Sequence, residues 1–250
     1  LDGSTFWILA LVAAFCVGLS KGGAPAFGAL AVPILSLTIS PLVAAGLLLP
    51  VFVFSDVFGI WTYRKYIHLG VLKVAVFGIL VGTAVGWATA SIVTEDHVRV
   101  LIGVIGLAFS LNYILRSKPG DAARPITWGR GLLWTSVAGF TSFVSHSGAP
   151  PWQVWTLPLK LPKMVFAGTS TAGFAIMNAL KIIPYWHLGQ LQLQSLWITA
   201  VLFLPALGGV WVAYRLIKVL PDRVFYAVVT WMLLAVSIKL IWDGLGGLWA

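Results

Sequence analysis

Four polar residues stand where the surrounding sequence is apolar, and their types limit the chemistry available. Lys21 closes an apolar run and opens Ser20-Lys21-Gly22-Gly23-Ala24-Pro25. His146 stands in Ser145-His146-Ser147-Gly148-Ala149-Pro150-Pro151. Asp56 lies inside VFVFSDVFGIW, and Asn178 inside FAIMNALKI. A lysine at mid-bilayer costs at least ~2.5 kcal/mol unless something compensates it. Ammonium, hydroxyl and imidazole groups all donate hydrogen bonds, and glycines let an oxyanion approach the backbone. Segments that start at a break also offer unpaired N–H groups and a positive dipole end. Ser20, Lys21, Gly22 and Gly23 from one break, with Ser145, His146, Ser147 and Gly148 from the other, are therefore the candidate ligands of a small anion. The competing readings are a solvated Lys21 at a surface tip and a structural His146.

Asp56 can carry a proton and Asn178 cannot. Intramembrane carboxylates mark pathways or proton relays. Asp56 is thus the coupling candidate should the protein use protons, and Asn178 a candidate ligand. The alternative for Asp56 is a structural partner for Lys21 or for a backbone break. Thr169, with Ser170 and Thr171, lines a polar path or holds helices together. Gly82-x-x-x-Gly86 reads as a helix contact, and Lys181 and Lys239 as side chains that snorkel from segment ends. Ser145 and His146 are adjacent and ill placed as a nucleophile–base pair. There is no G-x-S-G elbow and no H-E-x-x-H. The single Cys16 rules out a disulfide framework or a cysteine-based metal site. Neither an enzyme nor a cofactor is expected.

The elements that must carry these residues are membrane-spanning. The 250 residues are 60% hydrophobic and 9% charged, where a soluble domain has about 25% charged residues. Ten apolar segments can be read, at about 6–20, 24–40, 42–60, 71–93, 99–116, 131–145, 149–160, 164–184, 190–214 and 224–242. The first has no basic leader and no A-x-A exit, so it reads as structural. The net charge of +9 would suggest nucleic acid on a soluble protein. Here the basic residues fall mostly in short loops, as the positive-inside rule requires, and the partners expected are the lipid bilayer and a small anion.

The polar stretch 118–130 divides the chain into a first repeat, 1–117, and a second, 131–250. Ala24-Pro25 matches Ala149-Pro150 at an offset of 125, and Asp56 matches Asn178 at 122. His68-Leu69-Gly70 matches His187-Leu188-Gly189 at 119, and Asp96-x-Val98 matches Asp222-x-Val224 at 126. Such a slowly drifting offset suggests an internal duplication. The first two segments of each half, about 12–17 residues each, are short for a full crossing and meet at the polar breaks. Equivalent breaks in two halves point to a transporter site. If each pair is a hairpin, twelve basic residues in the loops fall on one side, and the halves are inverted. The expected fold is all-α and integral to the membrane: two inverted repeats, each a broken helical hairpin followed by three transmembrane helices. The protein would be multi-pass in the cell (inner or plasma) membrane, with both termini outside.

The ordered motifs resemble the sulfite exporter TauE/SafE family. Gly139-Phe140-Thr141-Ser142, then His146-Ser147-Gly148-Ala149-Pro150-Pro151, is similar to that family's G-F-x-S-x-x-x-H-x-G-G-P-P, with Ala149 in place of the second glycine. Phe166-x-Gly168-Thr169, Asn178 and Tyr185-x-x-x-Gly189 follow, and Gly18-x-x-Lys21-Gly22-Gly23, Asp56 and Tyr63-Arg64-Lys65 precede them. The resemblance spans essentially the whole chain and implies export of sulfite or a short organosulfonate. Two tips meeting near the midplane would hold the oxyanion, and alternating access would follow from one repeat rocking against the other. The alternative is a passive anion channel or a permease of another substrate.

Overall fold

A computed structural model describes residues 3–116, 122–189, 191 and 196–249. All regular structure among these residues is helical. The order is α1 (Ser4–Lys21), α2 (Gly28–Leu35), α3 (Pro41–Tyr63), α4 (Leu69–Ala88) and α5 (Glu95–Arg116), then α6 (Trp128–Ser145), α7 (Ala149–Thr156), α8 (Lys163–His187), α9 (Leu196–Val219) and α10 (Asp222–Trp249). Short 3-10 turns, Pro25–Phe27 and Leu157–Leu159, adjoin α2 and α7. The chain is an all-α membrane protein: α1, α3, α4, α5, α8, α9 and α10 are seven helices long and apolar enough to span a bilayer. Lipid-solvated helices are also the reason why so many large apolar side chains, Trp61, Leu204 and Trp242 among them, lie exposed.

The first arm of each break is longer than its apolar run implied. Helices α1 and α6 both have 18 residues, about 27 Å at 1.5 Å per residue, against a hydrocarbon core of roughly 30 Å. Polar ends (Ser4 and Thr5 in α1, Trp128 to Arg130 in α6) extend each helix past its apolar run. Helix α6 therefore begins at Trp128, three residues before the apolar run at 131. Only the returning arms are short.

The helices form two compact units, Leu1–His68 with Met164–Leu220, and Leu69–Lys163 with Pro221–Ala250. The first unit contains α1, α2, α3, α8 and α9. Its helix α2 turns back along α1 and α3, and Ala31, Val32 and Leu35 join Phe6, Ala10, Ala13, Val17, Leu47 and Leu48 in one core. Ser40 caps α3, its hydroxyl accepting from the Val43 N–H at 3.4 Å, with Pro41 at the first helical position. Helix α9 runs parallel to α1: Trp7 meets Trp197, Gly18 abuts the backbone of Ala206, and Gly22 lies against Val210 and Ala213. Helix α8 runs antiparallel to α3, since Thr169 bonds His68 while Asn178 bonds Asp56.

The second unit contains α4, α5, α6, α7 and α10. Helix α7 folds back on α6, bringing Trp155 against Gly131. Helix α4 runs parallel to α6: Gly78 lies on Leu132 and Thr135, Gly82 on Ser136 and Phe140, and Gly86 on Phe143. The Gly82-x-x-x-Gly86 stripe is a helix contact, as small residues in membrane helices commonly are. Helices α5 and α10 are antiparallel, with Gly103 beside Ser237 and Ile241, and Asp96 beside Gly244 and Gly247.

Candidate functional site

Lys21 is the last residue of α1, and its side chain is only 2% exposed. A hairpin tip reaching the surface is thereby ruled out. The ammonium sits 2.8 Å from Asp56 Oδ1, between the rings of Phe52 and Phe174 at 5.1 and 5.5 Å. Asn178 Nδ2 donates to the other carboxylate oxygen, Asp56 Oδ2, at 2.8 Å. The two positions aligned at a sequence offset of 122 thus bond each other directly. The alternative reading of Asp56 as a partner for Lys21 describes what is observed.

Backbone carbonyls left open at the end of α1 would be costly at this depth. Two side chains satisfy them. Thr171 donates its hydroxyl to the Lys21 carbonyl at 2.9 Å, and Tyr63 donates its hydroxyl to the Gly22 carbonyl. The turn then needs Gly23, whose φ of +114° disfavours any side chain; a Cβ there would also press on Ile217 and Ala167. At Gly59, a Cβ would meet Thr171 Cγ2 at 2.6 Å and the Lys21 carbonyl oxygen at 3.2 Å. That glycine lets three helices converge on the break.

The sequence reading misplaced Lys181. It does not snorkel: it is 1% exposed, one turn beyond Asn178 on the same face of α8. It lies within electrostatic range of both Lys21 and Asp56. It forms no ion pair among the described residues, where Asp56 is paired with Lys21 and bonded by Asn178. The signal was present in the sequence, since Thr171, Phe174, Asn178 and Lys181 recur at helical spacing as one stripe. Lys239, by contrast, is partly exposed and paired with Asp243 at 2.7 Å.

The remaining candidates divide between the units. Ser20 donates to the Val17 carbonyl at 2.6 Å, and Gly22 packs on α9, so both serve the local fold. Thr169 accepts from the His68 N–H at 2.9 Å and ties the end of α3 to α8. In the second unit the break closes on itself. Ser145 donates to the Thr141 carbonyl at 3.2 Å, Ser147 to the Ser145 carbonyl at 3.0 Å, and Thr141 to the Ser147 carbonyl at 3.2 Å. His146 caps α6 in a left-handed conformation, φ 53°, and is half-buried. Gly148 lies against Ser142 and the Ala138 carbonyl. A further residue overlooked in the sequence is Gln153 on α7. It is fully buried, with neither end of its amide hydrogen-bonded among the described residues. Its place in an apolar run of tryptophans masked it.

Among the described residues no cluster of His, Cys, Asp or Glu could hold a metal ion. What the first unit offers is a buried polar group of side chains among its helices: Lys21, Asp56, Asn178 and Lys181. No curated protein and no solved structure matches the chain significantly. The model of one family, described as "Sulfite exporter TauE/SafE", matches residues 10–240 and so takes in both breaks, Asp56, Asn178 and Lys181. Helices built to span a bilayer, charge sequestered inside them and a match over nearly the whole length agree: the chain belongs to the sulfite exporter TauE/SafE family, and is a membrane transporter and not an enzyme.

Proposed function

We propose that the protein exports a small sulfur oxyanion, sulfite or a short organosulfonate, and that the buried cluster of the first unit binds it. One observation carries this reading. Lys21 and Lys181 are both buried, yet they share a single carboxylate. Asp56 is the only acidic residue among the described residues of that unit. An uncompensated buried charge costs several kcal/mol, and an anionic cargo is what would offset it. Lys21 and Lys181 would hold the oxyanion, Asn178 would orient Asp56, and Asp56 would be the group that takes or releases a proton if transport is proton-coupled. Ser145, His146, Ser147 and Gly148 keep the equivalent break of the second repeat in shape.

Alternating access between inverted repeats is the mechanism we favour. The helix directions support it. The third helices of the two halves, α3 and α8, run antiparallel within the first unit. The fifth, α5 and α10, do so within the second. Equivalent elements of opposite direction are what an inverted duplication produces. With the basic loops placed on the cytoplasmic side, both termini would lie outside the cell membrane. Cysteines introduced at Arg64–Tyr66 and at Lys218–Arg223 should then label from the same, cytoplasmic side.

The test of the transport reading is efflux from liposomes loaded with sulfite or methanesulfonate. Wild-type protein should release both, and Lys21→Ala should lower apparent affinity about ten- to hundredfold, the worth of a charge-assisted hydrogen bond. Unaltered efflux by a folded Lys21→Ala protein would place the anion elsewhere.

A further inference from the structure

Helices α3 and α9 lie side by side in the first unit and run in the same direction, since Phe54 stacks on Phe203 and Tyr63 meets Tyr214 edge-on. Beyond Phe54 a groove of about 600 Å³ lies between them. Phe58, Trp61, Leu207 and Trp211 wall it, and Arg64 and Lys65 line it where α3 ends. Trp61 and Trp211 are 66% and 59% exposed, so this is an open groove and not an internal cavity. Its charge is one-sided. Arg64 lies over the Trp61 ring at 4.9 Å and donates to the Trp61 carbonyl at 2.6 Å. On α9, Arg215 lies over Trp211 at 5.1 Å and Lys218 over Tyr214 at 4.6 Å. The rings that wall the groove thus hold cations at its end. The one carboxylate among the described residues of the unit, Asp56, is buried beside Lys21.

We infer that this groove binds an anionic phospholipid, its acyl chain along Phe58, Trp61, Leu207 and Trp211 and its phosphodiester at Arg64 and Lys65. Both walls belong to membrane-spanning helices, and apolar walls with a basic end match the two parts of such a lipid. Basic pockets between transmembrane helices hold anionic head groups in this way, and the fork of an arginine suits phosphate oxygens. A soluble anion would gain nothing from the apolar walls. A zwitterionic lipid would bring its own ammonium group to a cluster of cations. The inference does not depend on the anion site proposed above. It does place a lipid next to the first break: Tyr214 lines the groove and contacts Tyr63, whose hydroxyl donates to the Gly22 carbonyl. A lipid seated against Tyr214 would brace that junction from outside.

Native mass spectrometry of the full-length protein in detergent tests this, with phosphatidylglycerol or phosphatidylcholine of the same acyl chains added. Wild-type protein should retain one phosphatidylglycerol, and bind phosphatidylcholine more than about tenfold more weakly. Arg64→Gln/Lys65→Gln should weaken phosphatidylglycerol binding about thirtyfold, about fivefold for each cation lost, and leave phosphatidylcholine binding unchanged. Trp211→Ala should weaken both lipids. Lys73→Gln, at an exposed cation on α4 in the other unit, should change neither. Glycerol 3-phosphate, a head group without chains, should fail to displace the lipid even in large excess. Equal binding of the two lipids by wild type would overturn the proposal. So would a loss in Lys73→Gln as large as that in the double variant, which would mean diffuse attraction. Displacement by glycerol 3-phosphate would make the groove a site for soluble anions instead. The wild-type comparisons decide the matter even where a variant fails to fold.

Discussion

The two breaks share a sequence pattern and differ in how their backbones are satisfied. At Lys21, helix-end carbonyls receive hydrogen bonds from Tyr63 on α3 and Thr171 on α8, and a buried ion pair forms beside them. At His146, the hydroxyls of Thr141, Ser145 and Ser147 close the turn within a few residues. One break is a junction of three helices, and the other is a local motif. Breaks of similar sequence can therefore be closed by local hydroxyls in one place and by neighbouring helices and charge in another. Disturbing the first should propagate through its unit, while disturbing the second should stay near the turn.

The largest effect expected on stability comes from Asp56→Ala. It removes the only carboxylate from two buried lysines. Breaking a buried pair by deleting one partner costs about 3–5 kcal/mol, and thermal unfolding in detergent should show most of the protein lost at temperatures where the wild type is folded. A smaller loss, about 1–3 kcal/mol, is expected for Gly23→Ala, which places a side chain at φ +114° against Ile217 and Ala167. On the side of the second break, Ser147→Ala removes one hydroxyl that donates to the Ser145 carbonyl. Its cost should be about 1 kcal/mol. Gln153→Met should go the other way and stabilise the protein by about 1–2 kcal/mol, because a buried amide with no hydrogen-bond partner among the described residues is replaced by an apolar chain of similar length. The smallest shift belongs to His146→Gly. Relief of the left-handed φ of 53° is worth no more than about 1 kcal/mol. A loss as large as that of Asp56→Ala would show that the second break is a junction as well.

Much of this was legible in the sequence. The helices and the two breaks follow from apolar runs and Gly-Pro punctuation, and Asp56 and Asn178, aligned at an offset of 122, bond each other. Lengths of the first arms were underestimated because polar residues at a helix end still continue the backbone bonding, as Ser4 and Arg130 do. Lys181 was misread because distance from a predicted segment end says little about burial. Helix α8 continues through Pro184 to His187, which leaves Lys181 inside it. The partners of the Lys21 and Gly22 carbonyls were not legible at all. Thr171 lies 150 residues from Lys21 in the chain, and Tyr63 lies 41 from Gly22. Only tertiary packing brings such groups together. Lys21 itself was recognised because an intramembrane charge stands out against any apolar background.

The central claim is that the anion lies between Lys21 and Lys181, and locating a bound anion tests it most directly. Selenite is a heavy analogue of sulfite, and anomalous diffraction at the selenium edge would place it in crystals of the soaked wild-type protein. The account predicts an anomalous peak within hydrogen-bonding distance of the Lys21 and Lys181 ammonium groups, and its absence in Lys181→Met crystals soaked in the same way. A selenium peak confined to the exposed Arg64–Lys65 end of α3, with none beside Asp56, would contradict it.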